Sequence, residues 1–231
     1  MNHDLSGKRA LVCGASQGIG RACAAELARR GCRVTLVARD AERLARAAED
    51  LATPGGDGFK GHDYFHADLG NPAGARTALE HHLRAHPGSY HIFVANTGGP
   101  PAKPAIDASE AELLAAFTSQ LLSAHAIVQS LLPGFRQERY GRIITITSTS
   151  VKSPIPNLGI SNIVRPAVAA WAKCLATELG PLGVTANNVL PGYTATDRLE
   201  SIIKGRSTKS GVPEQSVRDD LVAATPAGRF G

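Results

Sequence analysis

A glycine-rich turn near the amino terminus places the strongest constraint on how this chain can fold. An apolar run from Lys8 to Cys13 leads into the turn, which reads Gly-Ala-Ser-Gln-Gly-Ile-Gly over residues 14–20. Apolar residues then recur at helical spacing as far as Arg30, and Gly31 is a typical helix end. This order predicts a buried strand, a tight turn and a helix whose amino terminus points at whatever the turn binds.

The rest of the chain repeats this alternation of strands and helices. Strands are predicted over 33–38, 64–67, 91–95, 142–147 and 184–189, and helices over 41–51, 72–86, 109–132 and 166–179. Each strand is nearly continuous in apolar residues, which is typical of a parallel sheet covered on both faces. No clear linker interrupts the 231 residues. We therefore predict one domain, 1–231, with an α/β fold: a doubly wound, Rossmann-type parallel sheet with helices on both faces.

Composition argues against several other classes of protein. The chain is 43% hydrophobic and 19% charged, as expected of a globular protein rather than a disordered one. No apolar run reaches the roughly 18 residues of a membrane span, and the amino terminus lacks the apolar stretch of a secretory signal. The 4 cysteines lack metal-ligand spacing, which predicts a cytoplasmic protein without a metal site. The net charge of +5 is dispersed and aromatic residues are only 5%, so we predict no nucleic-acid binding.

The glycine turn itself predicts a dinucleotide site. Its three glycines let the backbone approach a pyrophosphate, and it lacks the Lys-Ser/Thr ending of a nucleotide-hydrolysing P-loop. The second strand ends at Ala38, which offers no carboxylate to a free ribose 2′-hydroxyl, whereas Arg39 can pair with a 2′-phosphate. NADP is therefore favoured over NAD. The carboxylate of Asp40 is an argument for NAD, so that cofactor stays an alternative, although the position of Asp40 also suits a helix N-cap.

Four further segments occur in order after the glycine turn, each at the end of a predicted strand. They are Ala67-Asp68-Leu69, Ala95-Asn96-Thr97-Gly98-Gly99, the strand from Gly141 to Ser148, and the segment from Asn188 to Thr196. Together with the turn, these motifs resemble those of the short-chain dehydrogenase/reductase family, from about Lys8 to the last residue. Cys13 replaces the family's Thr before the turn, the second segment is similar to the family's NNAG, and the last is similar to its NxxxPGxxxT. The resemblance implies an NAD(P)-linked oxidoreductase acting on a small carbonyl or alcohol substrate, with the bacterial 3-oxoacyl-(acyl-carrier-protein) reductases nearest.

The same resemblance implies which residues contact the cofactor. They are Gly14, Ser16, Gln17, Gly18, Ile19, Gly20, Arg39, Asp68, Leu69, Asn96, Thr97, Gly98, Arg165, Pro191, Gly192, Thr194 and Thr196.

The catalytic positions implied by the resemblance depart from the family's pattern. Ser148 matches the family's Ser, but the family spacing from it places Ser161 at the Tyr position and Arg165 at the Lys position, and Gln120 stands for the family's Asn. An aliphatic hydroxyl is a far weaker acid than a phenol, and arginine stays protonated. Two functions therefore stay open: an oxidoreductase with altered proton transfer, or a catalytically silent cofactor-binding or regulatory protein.

Other residues near the predicted site offer substitute groups. Tyr193 follows Pro191-Gly192 and could donate a proton, although a packing aromatic is the favoured interpretation. Ser150 and Lys152 follow Ser148 on a predicted loop, where solvated side chains are the simpler interpretation.

Three further expectations concern assembly and the end of the chain. The predicted helices 109–132 and 166–179 carry apolar residues on more than one face, which favours burial in a homodimer or homotetramer. Residues 193–222 combine glycine, proline and polar side chains, which predicts a substrate lid. Residues 225–231 resemble the family segment that precedes its final helix and last strand, so we expect the fold to lack those two elements.

Overall fold

A computed structural model of the chain describes residues 4–52 and 61–231. Its strands are β1 (Arg9–Cys13), β2 (Arg33–Ala38), β3 (Asp63–His66), β4 (Ile92–Ala95), β5 (Gly141–Ile146) and β6 (Val184–Val189). Its helices are α1 (Gly18–Arg29), α2 (Ala41–Glu49), α3 (Pro72–Ala85), α4 (Glu110–Phe117), α5 (Ser123–Glu138), α6 (Gly159–Leu179), α7 (Asp197–Ser210) and α8 (Glu214–Ala223).

The strands form one parallel sheet in the order β3-β2-β1-β4-β5-β6. The order reverses direction between β1 and β4, which is the crevice where doubly wound sheets bind ligands. On one face of the sheet, Phe93 packs with Leu79 of α3 and Phe135 of α5. On the other face, Val12 packs with Leu44 of α2 in a cluster that also includes α1 residues. The predicted doubly wound α/β fold is confirmed.

The start of α6 differs from the prediction. Pro166 favours the first turn of a helix, and the predicted helix began there. The structure begins α6 at Gly159 and carries it through Pro166. Ile160 and Val164, both fully or almost fully buried, pack against Ala116 of α4. The free energy gained by this burial offsets the loss of the backbone hydrogen bond that an interior proline cannot make.

The predicted helix 109–132 is also longer and less regular than expected. It divides into α4, a π-helical turn over Thr118–Leu122, and α5, which continues through Pro133 to Glu138. The combined segment Glu110–Glu138 has a mean hydropathy of 1.3 over its most apolar window and could cross a membrane by length and composition alone. Core helices of soluble proteins pass the same test, and one face of α5 packs on the sheet through Phe135. The expected lack of a membrane span stays a prediction.

The predicted lid segment, 193–222, contains α7 and α8. These helices pack on each other through Leu199, Ile203, Val217 and Leu221, in a cluster separate from those on the sheet. Within the described part of the chain β6 is the last strand, and it lies at one edge of the sheet.

Candidate active site

Predicted site residues follow all six described strands at their carboxyl ends. Because the strands are parallel, those ends share one edge of the sheet, the edge where doubly wound folds bind ligands. In strand order along the chain, the residues are Gly14, Arg39, Asp68, Asn96, Ser148 and Pro191.

The glycine turn is tightly built between β1 and α1. Gly14 and Gly18 have φ angles of +59° and +57°, which favour glycine. A Cβ atom on Gly20 would lie 2.2 Å from the carbonyl oxygen of Gly14, so this position has no room for a side chain. The amide of Asn96 donates a hydrogen bond of 3.2 Å to the same oxygen.

The amino terminus of α1 is open to a ligand. Gln17 stands at the N-cap, but its side chain makes no capping hydrogen bond to the helix. The Gln17 side chain therefore leaves the backbone N–H groups of the first helical turn uncapped. Such N–H groups can donate hydrogen bonds to a phosphate. Ser16 and Ile19, both partly exposed, flank the turn.

A basic group lies beside the turn, at the end of β2. Arg39 is exposed, and Arg43 in the first turn of α2 donates a hydrogen bond of 2.6 Å to Oε1 of Gln17. Asp40 is the N-cap of α2: its Oδ1 accepts a 3.0 Å hydrogen bond from the backbone N–H of Arg43, as the alternative interpretation of Asp40 predicted. Arg43 was not among the predicted site residues. Its position in the first turn of the helix after β2 was the available signal.

The segments after β3 and β4 border the same edge. Oδ1 of Asp68 accepts a 2.9 Å hydrogen bond from the backbone of Gly70, which closes a tight turn. Leu69 packs against the sheet core. Thr97 and Gly98 directly follow Asn96, and a Cβ on Gly98 would meet nothing within 4 Å.

The segment after β6 approaches the glycine turn. A Cβ on Gly18 would lie 3.4 Å from the methyl carbon of Thr196, so these two parts of the chain are close neighbours. Thr196 caps α7, since its Oγ1 accepts a 3.4 Å hydrogen bond from the backbone of Leu199. The hydroxyl of Thr194 donates to the carbonyl of Gly192 over 3.4 Å.

Arg165 is a buried cation at this end of the sheet. Its side chain extends from α6, and Nη1 donates a 2.7 Å hydrogen bond to the carbonyl of Ile146, the last residue of β5. Only 8% of the residue is exposed, and the described residues place no carboxylate in ion-pair distance. Burial, with a smaller contribution from Arg198, lowers the pKa of Arg165 to about 10. The guanidinium is therefore still charged at neutral pH.

Gln120 is buried in the π-helical turn and is only 4% exposed. Among the residues that the structure describes, neither its side-chain oxygen nor its nitrogen has a hydrogen-bond partner. π-helical turns are frequent at functional sites, and a buried amide without partners calls for a ligand or water.

Two serines complete the predicted catalytic set. Oγ of Ser148 accepts a 3.1 Å hydrogen bond from the backbone of Ser150 and caps the short 3-10 turn after β5. Ser161 lies in the first turn of α6 and is partly exposed.

The substitute groups differ in their surroundings. Tyr193 packs in the α7–α8 cluster, with its ring centroid 6.4 Å from that of Phe230, in agreement with the packing interpretation. Lys152 is exposed, and the buried Ser150 hydroxyl has no hydrogen-bond partner in the described residues.

The strand order and the tight glycine turn after β1 define a Rossmann-type dinucleotide-binding protein. A profile of the short chain dehydrogenase family matches residues 8–207. The chain belongs to the short chain dehydrogenase family, and it is an NAD(P)-dependent oxidoreductase by that membership.

Named relatives act on different substrates. The chain is 31% identical to the 3-oxoacyl-(acyl-carrier-protein) reductase FabG of Escherichia coli K12, over 99% of this chain and 86% of the relative. It is 30% identical to a cyclohexanol dehydrogenase of Rhodococcus sp. TK6, over 100% and 86%. The solved structure of L-sorbose reductase from Gluconobacter frateurii, complexed with NADPH and L-sorbose, superposes with a TM-score of 0.89 at 27% identity, over 100% of this chain and 87% of that one. Nearly equal identity to enzymes with different substrates leaves the substrate unassigned.

Proposed function

We propose that this protein is an NADP(H)-linked oxidoreductase that interconverts a carbonyl and an alcohol. The observation that carries the proposal is the glycine turn, where a Cβ on Gly20 would lie 2.2 Å from the Gly14 carbonyl. This backbone fits a pyrophosphate at close range. Arg39 and Arg43 beside it favour the additional phosphate of NADP. The relatives support a 3-oxoacyl substrate as the first to be tested.

The altered catalytic set assigns a different task to each side chain. The bound cofactor would supply the hydride. Ser148 orients the substrate oxygen by hydrogen bonding, and the buried Arg165 cation stabilises negative charge that develops near it. Ser161 is too weak an acid to act as the proton donor, so the proton comes from water. Residues 193–222 form the substrate lid in this proposal.

Cofactor titration followed by a substrate panel tests the proposal. NADPH fluorescence should report saturable binding, and the loaded protein should reduce at least one member of a panel of 3-oxoacyl thioesters, ketones and keto-sugars. Failure to bind either nicotinamide dinucleotide would overturn it. Tight NADPH binding without turnover of any substrate would favour the silent, cofactor-binding alternative.

Replacing Arg39 should change the preference between the two cofactors. We expect Arg39→Ala to weaken NADPH binding about 10- to 100-fold, because a charge-assisted hydrogen bond contributes about 1.5–3 kcal/mol. NADH, which lacks the 2′-phosphate, should bind Arg39→Ala as it binds the unchanged protein. Dissociation constants from fluorescence titration measure both effects. Arg84→Ala, an exposed arginine on α3, is the matched control and should alter neither constant. An unchanged NADPH constant in Arg39→Ala would contradict the assignment.

Exposed apolar side chains support a homodimer or homotetramer. Leu114 is 65% exposed on α4 and Ile163 is 51% exposed on α6. Phe117 and Leu122, which lie between them along the chain, are 36% and 39% exposed. We expect Leu114→Lys to reduce the mass observed by light scattering after size exclusion, since it places a charge in the contact. Ile106→Lys, at a 92% exposed apolar residue outside these helices, should leave the mass unchanged. A monomeric unchanged protein would refute the proposed assembly.

A further inference from the structure

Asp63, His82 and His86 bring three potential metal-ligand atoms together away from the glycine turn. Asp63 is the first residue of β3, and the histidines lie one helical turn apart at the end of α3. Oδ2 of Asp63 lies 3.7 Å from Nε2 of His82 and 3.9 Å from Nδ1 of His86. One ligand atom from each residue lies within 4.8 Å of the other two.

Two buried atoms of this cluster lack the partners that burial normally requires. The His82 side chain is only 6% exposed, and its Nε2 makes no hydrogen bond to any residue of 4–52 or 61–231. Oδ1 of Asp63 is likewise buried and unpartnered in those ranges, while its Oδ2 accepts a 2.8 Å hydrogen bond from Arg33. Such groups in a folded protein usually indicate a missing ligand or water.

The chemistry of the three groups suits a transition metal better than a hard cation. Two imidazole nitrogens and one carboxylate are ligands that Zn²⁺ accepts, whereas Mg²⁺ and Ca²⁺ prefer oxygen. A metal ion would also give the buried Nε2 of His82 the partner that it lacks among residues 4–52 and 61–231.

Only small side-chain movements are needed to bring the three ligand atoms to the distances of a zinc site. Tetrahedral zinc with ligand distances of about 2.0–2.2 Å places its ligand atoms about 3.3–3.6 Å apart. The rings of His82 and His86 are stacked at 4.5 Å, and rotation of the partly exposed His86 would bring its Nδ1 inward. That side chain is 41% exposed, which gives an ion a route into the site.

We propose that Asp63, His82 and His86 form a binding site for Zn²⁺ or a similar divalent transition metal, with water in the fourth position. The site would join edge strand β3 to the end of α3. It lies at the amino ends of the strands, opposite the glycine turn, so the ion stabilises the fold and takes no part in hydride transfer. The Arg33 guanidinium that pairs with Asp63 repels a bound metal ion, and this repulsion lowers the affinity of the site for Zn²⁺. This inference does not rest on the proposed function.

Zinc binding to the metal-free protein tests the site. After EDTA treatment and its removal, competition with a chromogenic zinc chelator should give one high-affinity ion per chain. At a free zinc concentration about 100-fold above Kd, we expect Tm to rise by about 5–10 °C. Co²⁺ in place of zinc should give the visible absorption bands of a tetrahedral site with nitrogen ligands.

His86→Ala is the decisive variant, because its side chain is partly exposed and its loss should leave the fold intact. We expect at least a 10-fold loss of zinc affinity and loss of the Tm rise. His81→Ala removes an exposed histidine from the same helix and should bind zinc as the unchanged protein does. Circular dichroism checks that both variants fold. The proposal fails if the unchanged protein shows no saturable zinc binding, or if His86→Ala binds zinc as tightly as His81→Ala.

Discussion

Gly20→Ala is expected to weaken NADPH binding at least about 100-fold. The added Cβ would lie 2.2 Å from the Gly14 carbonyl oxygen and 2.7 Å from the Asn96 amide nitrogen. The carbonyl cannot easily turn away, since Gly14 already has a φ of +59° and accepts the Asn96 hydrogen bond. The turn must therefore open, and its backbone loses the close approach to the pyrophosphate. Fluorescence titration of NADPH measures the loss.

A matched glycine separates this effect from a general cost of alanine. Gly180, where α6 ends, has open space around an added Cβ, so Gly180→Ala should bind NADPH normally. Thermal unfolding of both variants reports whether Gly20→Ala remains folded at the assay temperature. A folded Gly20→Ala protein with an unchanged NADPH constant would show that the turn does not hold the cofactor.

The double variant Ser161→Tyr/Arg165→Lys should raise the kcat of carbonyl reduction about 100-fold or more. A phenol with an ordinary pKa near 10 becomes a useful proton donor beside a cation, and a positioned general acid contributes about 10²- to 10⁴-fold. Ser161 is partly exposed in the first turn of α6, which leaves space on its outer side for a larger ring. Steady-state kinetics with saturating NADPH measures the change.

Two comparisons show whether the proton donor is responsible. Ser161→Phe/Arg165→Lys adds the same ring without the hydroxyl and should show no gain in kcat. Activity confined to the tyrosine double variant, with none in the unchanged protein, would favour the catalytically silent alternative. A lower kcat in the double variant than in the unchanged protein would contradict the expected benefit of a phenol at this position.

Local patterns were sufficient to predict most strands and the turn. The predicted strands 33–38 and 184–189 have the bounds of β2 and β6, because short apolar runs between turn signals are set by neighbouring residues. Helix ends depended on more distant residues. The predicted start at Pro166 was wrong because Ile160 and Val164 bury their side chains against α4, a gain that proline's local preference does not include.

The sequence motifs predicted which residues belong to the candidate site, but not which of them contact one another. Each motif lies just after a strand, and the parallel sheet brings these segments together at the carboxyl ends of its strands. That Arg43 reaches Gln17 and that Arg165 is buried against Ile146 required the structure, since both depend on how helices pack beside the strands. The roles of Ser148, Ser161, Gln120 and the cofactor contacts stay predictions.

The sequence by itself determined the order of strands and helices and the glycine turn, because periodicity and backbone freedom are properties of adjacent residues. Only the tertiary structure decided which side chains meet across that framework. It brings Asp63 to His82 and His86, and it leaves buried polar atoms there without partners among the described residues. The physical reason is that such contacts join residues far apart in the chain, whose approach is set by the packing of helices on the sheet.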